Sequence, residues 1–197
     1  MLSRTADNLY WLGRYVERVE NTARLLAGTQ RLSLMPIPKE EQGGLWRNLF
    51  QSDSERAAFE VLHDKYDELP VIDFMAFDRA NSSSIRSCLF AARENVRGAR
   101  HVLTTEISQC INETWMNTKD CTLDQVVEQG TQEYLDSVKE CTHLLRGVIY
   151  GTMRRGEPFM FWDLGTTLER AENTTRLLLA RSASFHRASR RDDGFDF

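Results

Sequence analysis

Proline is scarce in this sequence: only four occur in 197 residues, each where a helical pattern stops. Because proline interrupts helices, its scarcity favours long helices over a β fold with many turns. A hydrophobic content of 41% and a charged content of 27% are ordinary for a globular protein. A chain of this length can bury the core of one sizeable domain.

An excess of positive charge is also missing. The formal net charge is −4, whereas nucleic-acid-binding proteins usually carry a basic field, so no nucleic-acid partner is expected. Lysine is rare among the cations, with four of the 25 basic residues. Arginine forms fixed bidentate pairs with carboxylates, so this bias indicates ordered ion-pair networks, with codon bias in a GC-rich genome as the alternative.

Signatures of membrane insertion, secretion, metal binding and nucleophilic catalysis are absent from the sequence. There is no uncharged apolar run of about 18 residues and no N-terminal signal peptide, so we expect a cytoplasmic protein without a membrane partner. The four cysteines form no C-x-x-C pair and no metal-ligand spacing. No G-x-S-x-G, glycine-rich phosphate loop or suggestive Cys–His spacing occurs, so no cofactor and no catalytic residue is predicted.

The most informative feature that the sequence does contain is an internal repeat. Residues 12–26 return at 164–178 without a gap, and ten of the fifteen positions are identical. This identity indicates a duplication. Apolar residues recur at three- and four-residue spacing in both copies, so both are predicted to be helices. Most of the identical residues are polar, which the core of a helical bundle does not require.

The apolar spacing predicts an all-α fold, more than two-thirds helical and without a sheet. We expect an elongated up-down bundle of four long helices with a small helical insertion at residues 39–80, spanning residues 1–186 and followed by a flexible tail at 187–197. Short connections make neighbouring helices antiparallel, and the first and last helices are expected to be adjacent and antiparallel. The long helices are predicted at residues 3–34 with Ser3 as N-cap, 81–118, 122–154 and 159–185.

Capping signals place two of the helix starts. Ser52-x-x-Glu55 predicts a short helix within the insertion, and Thr122-x-x-Gln125 predicts the start of the third long helix. Between residues 85 and 110 the apolar positions continue at helical spacing, so the second long helix is predicted without a break.

Several motifs extend the pattern over most of the chain, to about residue 180. They include Leu2-Ser3-Arg4-Thr5-Ala6-Asp7-Asn8-Leu9-Tyr10-Trp11-Leu12-Gly13-Arg14-Tyr15-Val16-Glu17-Arg18, Asp78-Arg79-x-Asn81-x-Ser83-Ser84, Ala91-Ala92-Arg93-Glu94-Asn95-x-Arg97, Asn112-Glu113-x-Trp115, His143-Leu144-x-Arg146-Gly147 and Leu168-Glu169-Arg170-Ala171-Glu172-Asn173-x-x-Arg176-Leu177-Leu178. Together they resemble the bacterial alpha-E domain family, otherwise a domain of unknown function. Relatives commonly continue well past the fourth helix and repeat more of the first half.

The resemblance implies an all-helical protein encoded beside an ATP-grasp ligase of peptide or amide type and a transglutaminase-like cysteine peptidase. The function expected from it is that of a non-catalytic helical partner or scaffold in a bacterial peptide-modification system, bound to one of these proteins or to a second copy of itself. The alternative is a peptide-modifying enzyme that uses Glu17, Glu20, Glu169 or Glu172 with nearby arginines.

The candidate residues for an ion network or a ligand site are the polar positions of the repeat and arginines of the second long helix. They are Tyr10, Arg14, Glu17, Arg18, Glu20, Asn21, Arg24, Arg93, Arg97, Glu169, Arg170, Glu172, Asn173 and Arg176. A solvated charged face, a buried network and a ligand site all remain open. The helical row that contains Arg93 and Arg97 is expected to pair with glutamates of the first and last helices, with an anion site as the alternative.

Two like helices related by a local two-fold axis make reciprocal contacts. The sequence therefore predicts that Glu17 meets Arg176 and that Glu169 meets Arg24. Glycine in mid-helix permits close approach of backbones, which predicts contact at Gly13 and Gly165.

If the last helix begins an incomplete second copy, one of its faces lacks a partner within the chain. Phe161, Trp162 and Leu179 are then expected in an exposed apolar patch, and such a patch usually marks an interface. We therefore expect a homodimer or a complex with another protein.

Two Glu-x-x-His patterns match the spacing of di-metal sites in helical bundles. They occur at Glu60-x-x-His63 and Glu140-x-x-His143. The second pair lies opposite the apolar stripe of its helix, and the first lies on a short helix without a second ligand set, so both are interpreted as surface residues.

Overall fold

A computed structural model describes residues 1–36, 39–50 and 52–192 of the chain. The protein is 78% helical and no strand occurs among these residues, so the prediction of an all-α fold is confirmed. Within the same residues, no helix is both long and apolar enough to cross a membrane.

The described fold consists of α-helices and one π-helical segment. They are α1 (Ser3–Ser33), α2 (Lys39–Arg47), α3 (Asp53–Glu60), α4 (Glu68–Ile72), the π segment Asp73–Phe77, α5 (Ile85–Ala99), α6 (Thr105–Thr118), α7 (Leu123–Gln129), α8 (Thr131–Thr152) and α9 (Glu157–Asp192). The N-cap of α1 is Leu2, not Ser3 as predicted, because the backbone N–H groups of Thr5 and Ala6 already bond to the Leu2 carbonyl. α9 continues to Asp192, past residue 187 where the tail was predicted to begin, and residues 193–197 lie outside the described part.

α1, α5, α6 and α8 form an up-down bundle. The Thr5 hydroxyl lies 3.2 Å from the His101 ring, which places the start of α1 beside the end of α5. The hydroxyls of Thr104 and Thr152 lie 2.9 Å apart, which places the start of α6 beside the end of α8. Neighbouring helices in this bundle are therefore antiparallel.

α1 supplies the centre of the core. Its apolar stripe faces inward between α5 and α8, and each of its side chains is at most 2% exposed. The stripe consists of Leu9, Leu12, Val16, Val19, Ala23 and Leu26. The insertion adds an aromatic cluster in which Phe59 stacks on Tyr66 with ring centroids 5.0 Å apart.

The prediction of four uninterrupted long helices is wrong, because two of them are broken. The second divides into α5 and α6 at residues 100–104, where the Thr104 hydroxyl accepts the N–H of Ile107 and caps a new helix. The third divides at Gly130, whose φ of 111° lies in the region that favours glycine. The capping box at Thr122 opens α7 as predicted.

α9 packs along the outer side of α1 and runs parallel to it. The Met1 amino group lies 3.2 Å from Glu157 at the start of both helices, and Glu17 pairs with Arg170 farther along both. The predicted antiparallel arrangement is wrong, since the turn between α5 and α6 adds one reversal of chain direction before α9.

Candidate functional site

The two copies of the repeat contact each other directly along α1 and α9. A Cβ atom on Gly13 would collide with the Trp162 carbonyl oxygen and lie 2.8 Å from the Thr166 nitrogen. A Cβ atom on Gly165 would collide with the Tyr10 carbonyl group. The backbones therefore touch at equivalent positions of the repeat, as predicted, and a local two-fold axis runs along the pair.

Two bidentate ion pairs are exchanged across this axis. Arg18 donates to both oxygens of Glu169, at 2.8 and 3.0 Å, and Arg170 donates to both oxygens of Glu17, at 2.9 and 3.0 Å. The 152-residue offset of the repeat relates these two pairs to each other. The prediction that an acid of each copy meets a base of the other is therefore confirmed, although the arginines are different ones. Planar bidentate pairs of this type are the strongest that arginine forms with a carboxylate.

The predicted pairs Glu17–Arg176 and Glu169–Arg24 are wrong. In a parallel pair, equivalent residues lie at the same level, and Arg24 is seven residues, or about 10 Å, beyond the level of Glu169. Arg24 instead donates to Glu20 at 2.7 and 2.9 Å within α1, and Arg176 pairs with Glu172 within α9.

α1 and α8 each supply a further arginine that bridges two glutamates. Arg14 lies 2.5 Å from Glu169 and 2.6 Å from Glu172. Arg146 of α8 lies 2.8 Å from Glu17 and 2.5 Å from Glu20. Arg146 was missing from the predicted candidates, although it stands in the motif His143-Leu144-x-Arg146.

Burial makes these pairs obligatory. The side chains of Glu17, Glu20 and Glu169 are only 8, 7 and 4% exposed, and a buried carboxylate is stable only when it is paired. The Arg14 guanidinium also lies 6.0 Å from the Tyr10 ring, whose hydroxyl accepts from it at 3.5 Å. The repeated glutamates Glu17, Glu20 and Glu169 are therefore not part of a solvated face.

The arginines predicted on the second long helix lie elsewhere. Arg93 donates to Asn112 of α6 at 2.7 Å, and Arg97 donates to Glu94 on its own helix at 3.0 Å. The prediction that Arg93 and Arg97 form ion pairs with glutamates of the first and last helices is therefore wrong. The positions on α1, α8 and α9 supply those cations instead.

The two Glu-x-x-His patterns have ordinary surroundings. Glu60 and Glu140 are exposed, and Glu60 accepts from the Tyr66 hydroxyl at 2.6 Å. His143 is half exposed, but its Nε2 lies 3.1 Å from Glu20, at the edge of the network. Among the described residues, no group of three or more His, Cys, Asp or Glu side chains is placed to hold a metal ion.

The thiol of Cys88, which interacts electrostatically with Arg18, stays protonated at neutral pH. Cys88 is fully buried, and burial raises the pKa of its thiol to about 12, more than the neighbouring Arg18 lowers it. A thiolate is the nucleophilic form of cysteine, so Cys88 is a packing residue.

The Glu20 carboxyl makes the stability of the folded protein depend on pH. Burial would raise the pKa of its carboxyl, but hydrogen bonds from Arg24 and Arg146 outweigh burial and hold that pKa below its ordinary value of 4.5. A depressed carboxyl pKa contributes stability that is complete above the ordinary value and is lost as pH falls through the native value.

We therefore expect the free energy of unfolding to fall on acidification below about pH 4.5, and to fall less steeply in Glu20→Gln. Urea unfolding between pH 7 and pH 3 measures both slopes. Equal slopes for the two proteins would show that Glu20 carries none of the dependence.

Beside the ion pairs lies a polar pocket of about 210 Å³. Its walls come from α1, α9, the start of α3, the π-helical segment and the residues just before α5. The lining residues are Arg18, Asn21, Thr22, Ser52, Glu55, Met75, Ser83, Asn173 and Arg176. Asn173 is 5% exposed, and its Nδ2 group has no hydrogen-bond partner within the described residues.

The comparisons with known proteins agree with the motifs. A family model described as "Alpha-E: A predicted alpha-helical domain with a conserved ER motif" matches residues 1–196. The repeat supplies two Glu-Arg dipeptides that fit this description, at 17–18 and 169–170. Neither the curated proteins nor the solved structures contain a significant match to the chain. The chain belongs to the Alpha-E family.

Proposed function

We propose that this chain is a non-catalytic helical partner protein that works with an ATP-grasp peptide or amide ligase and a transglutaminase-like peptidase in the bacterial cytoplasm. The identity of these enzymes comes from the resemblance set out above. The observation that carries the partner role is an uncovered apolar face on α9.

This outer face of α9 extends over residues 160–179, about 30 Å of helix at 1.5 Å per residue. Leu164, Leu168 and Leu178 are 54, 45 and 65% exposed. By helical geometry, the charged residues of the stretch fall outside this face, and three of them pair with α1. The face consists of Met160, Phe161, Leu164, Thr167, Leu168, Ala171, Thr174, Thr175, Leu178 and Leu179.

Of the three residues predicted in an exposed patch, two lie in it. Phe161 is 36% exposed and Leu179 is 65% exposed, whereas Trp162 is 1% exposed. The prediction for Trp162 is wrong, because that residue turns toward the bundle and packs edge-on against Tyr150 of α8.

Comparison of the two copies of the repeat supports an interface on the outer face of α9. Phe161, Leu164, Leu168, Ala171, Thr175 and Leu178 stand 152 positions after Leu9, Leu12, Val16, Val19, Ala23 and Leu26. Those α1 residues are covered by the bundle, whereas their α9 counterparts are exposed. A contiguous apolar surface of this kind usually marks an interface.

The closed ion network supports the same proposal. Glu17, Glu20 and Glu169 are each enclosed and paired with arginine, which leaves them poorly placed to transfer protons to a substrate. The peptide-modifying enzyme therefore has less support than the partner protein.

We expect the double change Leu164→Glu and Leu168→Glu to abolish association without unfolding the chain, because it places charges on an apolar interface. The measurement is co-purification with the neighbouring ATP-grasp protein, followed by an ATP-hydrolysis assay of the complex. Light scattering of the chain alone detects self-association through the same face.

Leu144→Glu provides a matched control, since Leu144 is 60% exposed on α8, away from the outer face. It should leave association unchanged. A wild-type chain that remains monomeric at high concentration and fails to co-purify would contradict the proposal, as would a complex that survives the double change.

A further inference from the structure

We propose that the polar pocket between α1, α9 and the start of α3 binds the carboxylate of a small organic acid. The pocket is distinct from the outer face of α9, so the proposal is independent of the partner role. Three observations carry it: a buried donor without a partner, a pair of repeated asparagines, and the charge of the surrounding network.

The buried donor is Nδ2 of Asn173. This side chain is 5% exposed and lines the pocket, yet within the described residues its N–H groups meet no acceptor. Buried polar groups are hydrogen-bonded in almost all folded proteins, so an orphan donor beside a cavity points to an acceptor that comes from outside the chain.

The repeat supplies the second observation. Asn21 and Asn173 are equivalent residues of the two copies, and both line this one pocket. Asparagine is a poor residue for the middle of a helix, and the ion pairs described above do not use either amide. Binding at the pocket accounts for the presence of asparagine at both positions.

Charge favours an anionic ligand. The network contains six arginines and four glutamates, and two of the arginines, Arg18 and Arg176, reach the pocket wall. Hydroxyl groups of Thr22, Ser52 and Ser83 add further donors, against one acid, Glu55. Guanidinium and amide donors together are suited to the paired oxygens of a carboxylate.

The two sides of the α1–α9 pair differ in a way that leaves room for this ligand. On the α8 side, Arg146 and His143 of the chain itself reach the glutamates of α1. On the α3 side, the pocket holds about 210 Å³, room for about seven water molecules at about 30 Å³ each. That space suits an acid of four or five carbons.

The test is thermal unfolding of the full chain with succinate, L-glutamate or inorganic phosphate, at equal ionic strength set with sodium chloride. A carboxylate that binds the folded state raises Tm in proportion to the logarithm of its concentration. We expect succinate or L-glutamate to raise Tm by at least about 2 °C at 10 mM, and calorimetric titration to give one site per chain.

Asn173→Leu should remove the ligand-induced rise while leaving Tm without ligand equal to or above the wild-type value, because leucine has no orphan donor. If that variant fails to fold, Asn21→Leu at the half-buried equivalent position replaces it. Asn112→Leu, at an exposed position on α6, should keep the full rise.

Three outcomes would overturn the proposal. These are no rise with either carboxylate, a rise with phosphate alone, and an equal rise in wild type and the pocket variants. The first shows a pocket that holds only water, the second assigns a different anion, and the third places binding elsewhere on the chain.

Discussion

Glu169→Ala is expected to lower the free energy of unfolding by about 3 kcal/mol, because it removes the carboxylate that pairs with the partly buried Arg18 and one of the two that pair with the buried Arg14. The Arg14 and Arg18 side chains are 11 and 24% exposed, and both contact Glu169, which is itself 4% exposed. Urea unfolding at pH 7 measures the loss, which is large against a typical stability of about 5–15 kcal/mol.

The loss in free energy of unfolding caused by Glu17→Ala should be smaller than that caused by Glu169→Ala. It removes one of the two carboxylates of Arg146, which keeps Glu20 at 2.5 Å, and its other partner Arg170 is 57% exposed and can be hydrated in place. Glu94→Ala is the control, since the Glu94–Arg97 pair lies at the surface and such pairs contribute less than about 1 kcal/mol. A loss below about 1 kcal/mol for Glu169→Ala would make the network dispensable for folding.

The all-α class could be predicted because it follows from periodicity, and the contact between the two copies could be predicted from the duplication and an up-down order of helices. Apolar residues at three- and four-residue spacing specify helices, and a repeat of fifteen residues implies a local two-fold relation. Gly13 and Gly165 then mark the closest approach, since a Cβ atom at either would collide with backbone of the other helix. The adjacency of the two copies was predicted from a simple up-down order, and it holds in the structure although the number of helices before α9 differs.

The direction of α9 depends on that order, and there the prediction failed. The apolar stripe of α5 and α6 continues through residues 100–104 at helical spacing, so periodicity alone shows no break. The signal that competes with it is local: Thr104 before Thr105 and Glu106, an N-cap residue followed by an acid in the first turn. One undetected turn reversed α9 and replaced the predicted pairs with Glu17–Arg170 and Glu169–Arg18.

Of the candidate site, the residues within the repeat could be found from the sequence, and those outside it could not. Repetition singled out Glu17, Arg18, Glu169 and Arg170, which pair with one another. Arg146 has no repeated counterpart, and its role depends on how α8 packs against α1. The spacing of residues within one helix does not show how that helix is oriented against its neighbour.

Gly13→Ala is expected to destabilise the protein by about 2–3 kcal/mol, although alanine favours a helix over glycine by about 1 kcal/mol. The added Cβ would collide with the Trp162 carbonyl and lie 2.8 Å from the Thr166 nitrogen, both backbone groups of α9. Backbone cannot move aside as a flexible side chain can, so α1 and α9 must separate. Overpacking of this kind typically costs about 1–3 kcal/mol, and here it also lengthens the Arg18–Glu169 and Arg170–Glu17 pairs.

Gly28→Ala on the same helix is the matched control, since a Cβ atom there meets nothing within 4 Å. It should stabilise the chain by up to about 1 kcal/mol, so the two changes have opposite signs in urea unfolding. Gly13→Ala combined with Gly165→Ala should cost less than the sum of the single changes. The first substitution already separates the helices, and residues in contact are not additive. Stabilisation by Gly13→Ala equal to that by Gly28→Ala would contradict the close contact of α1 and α9.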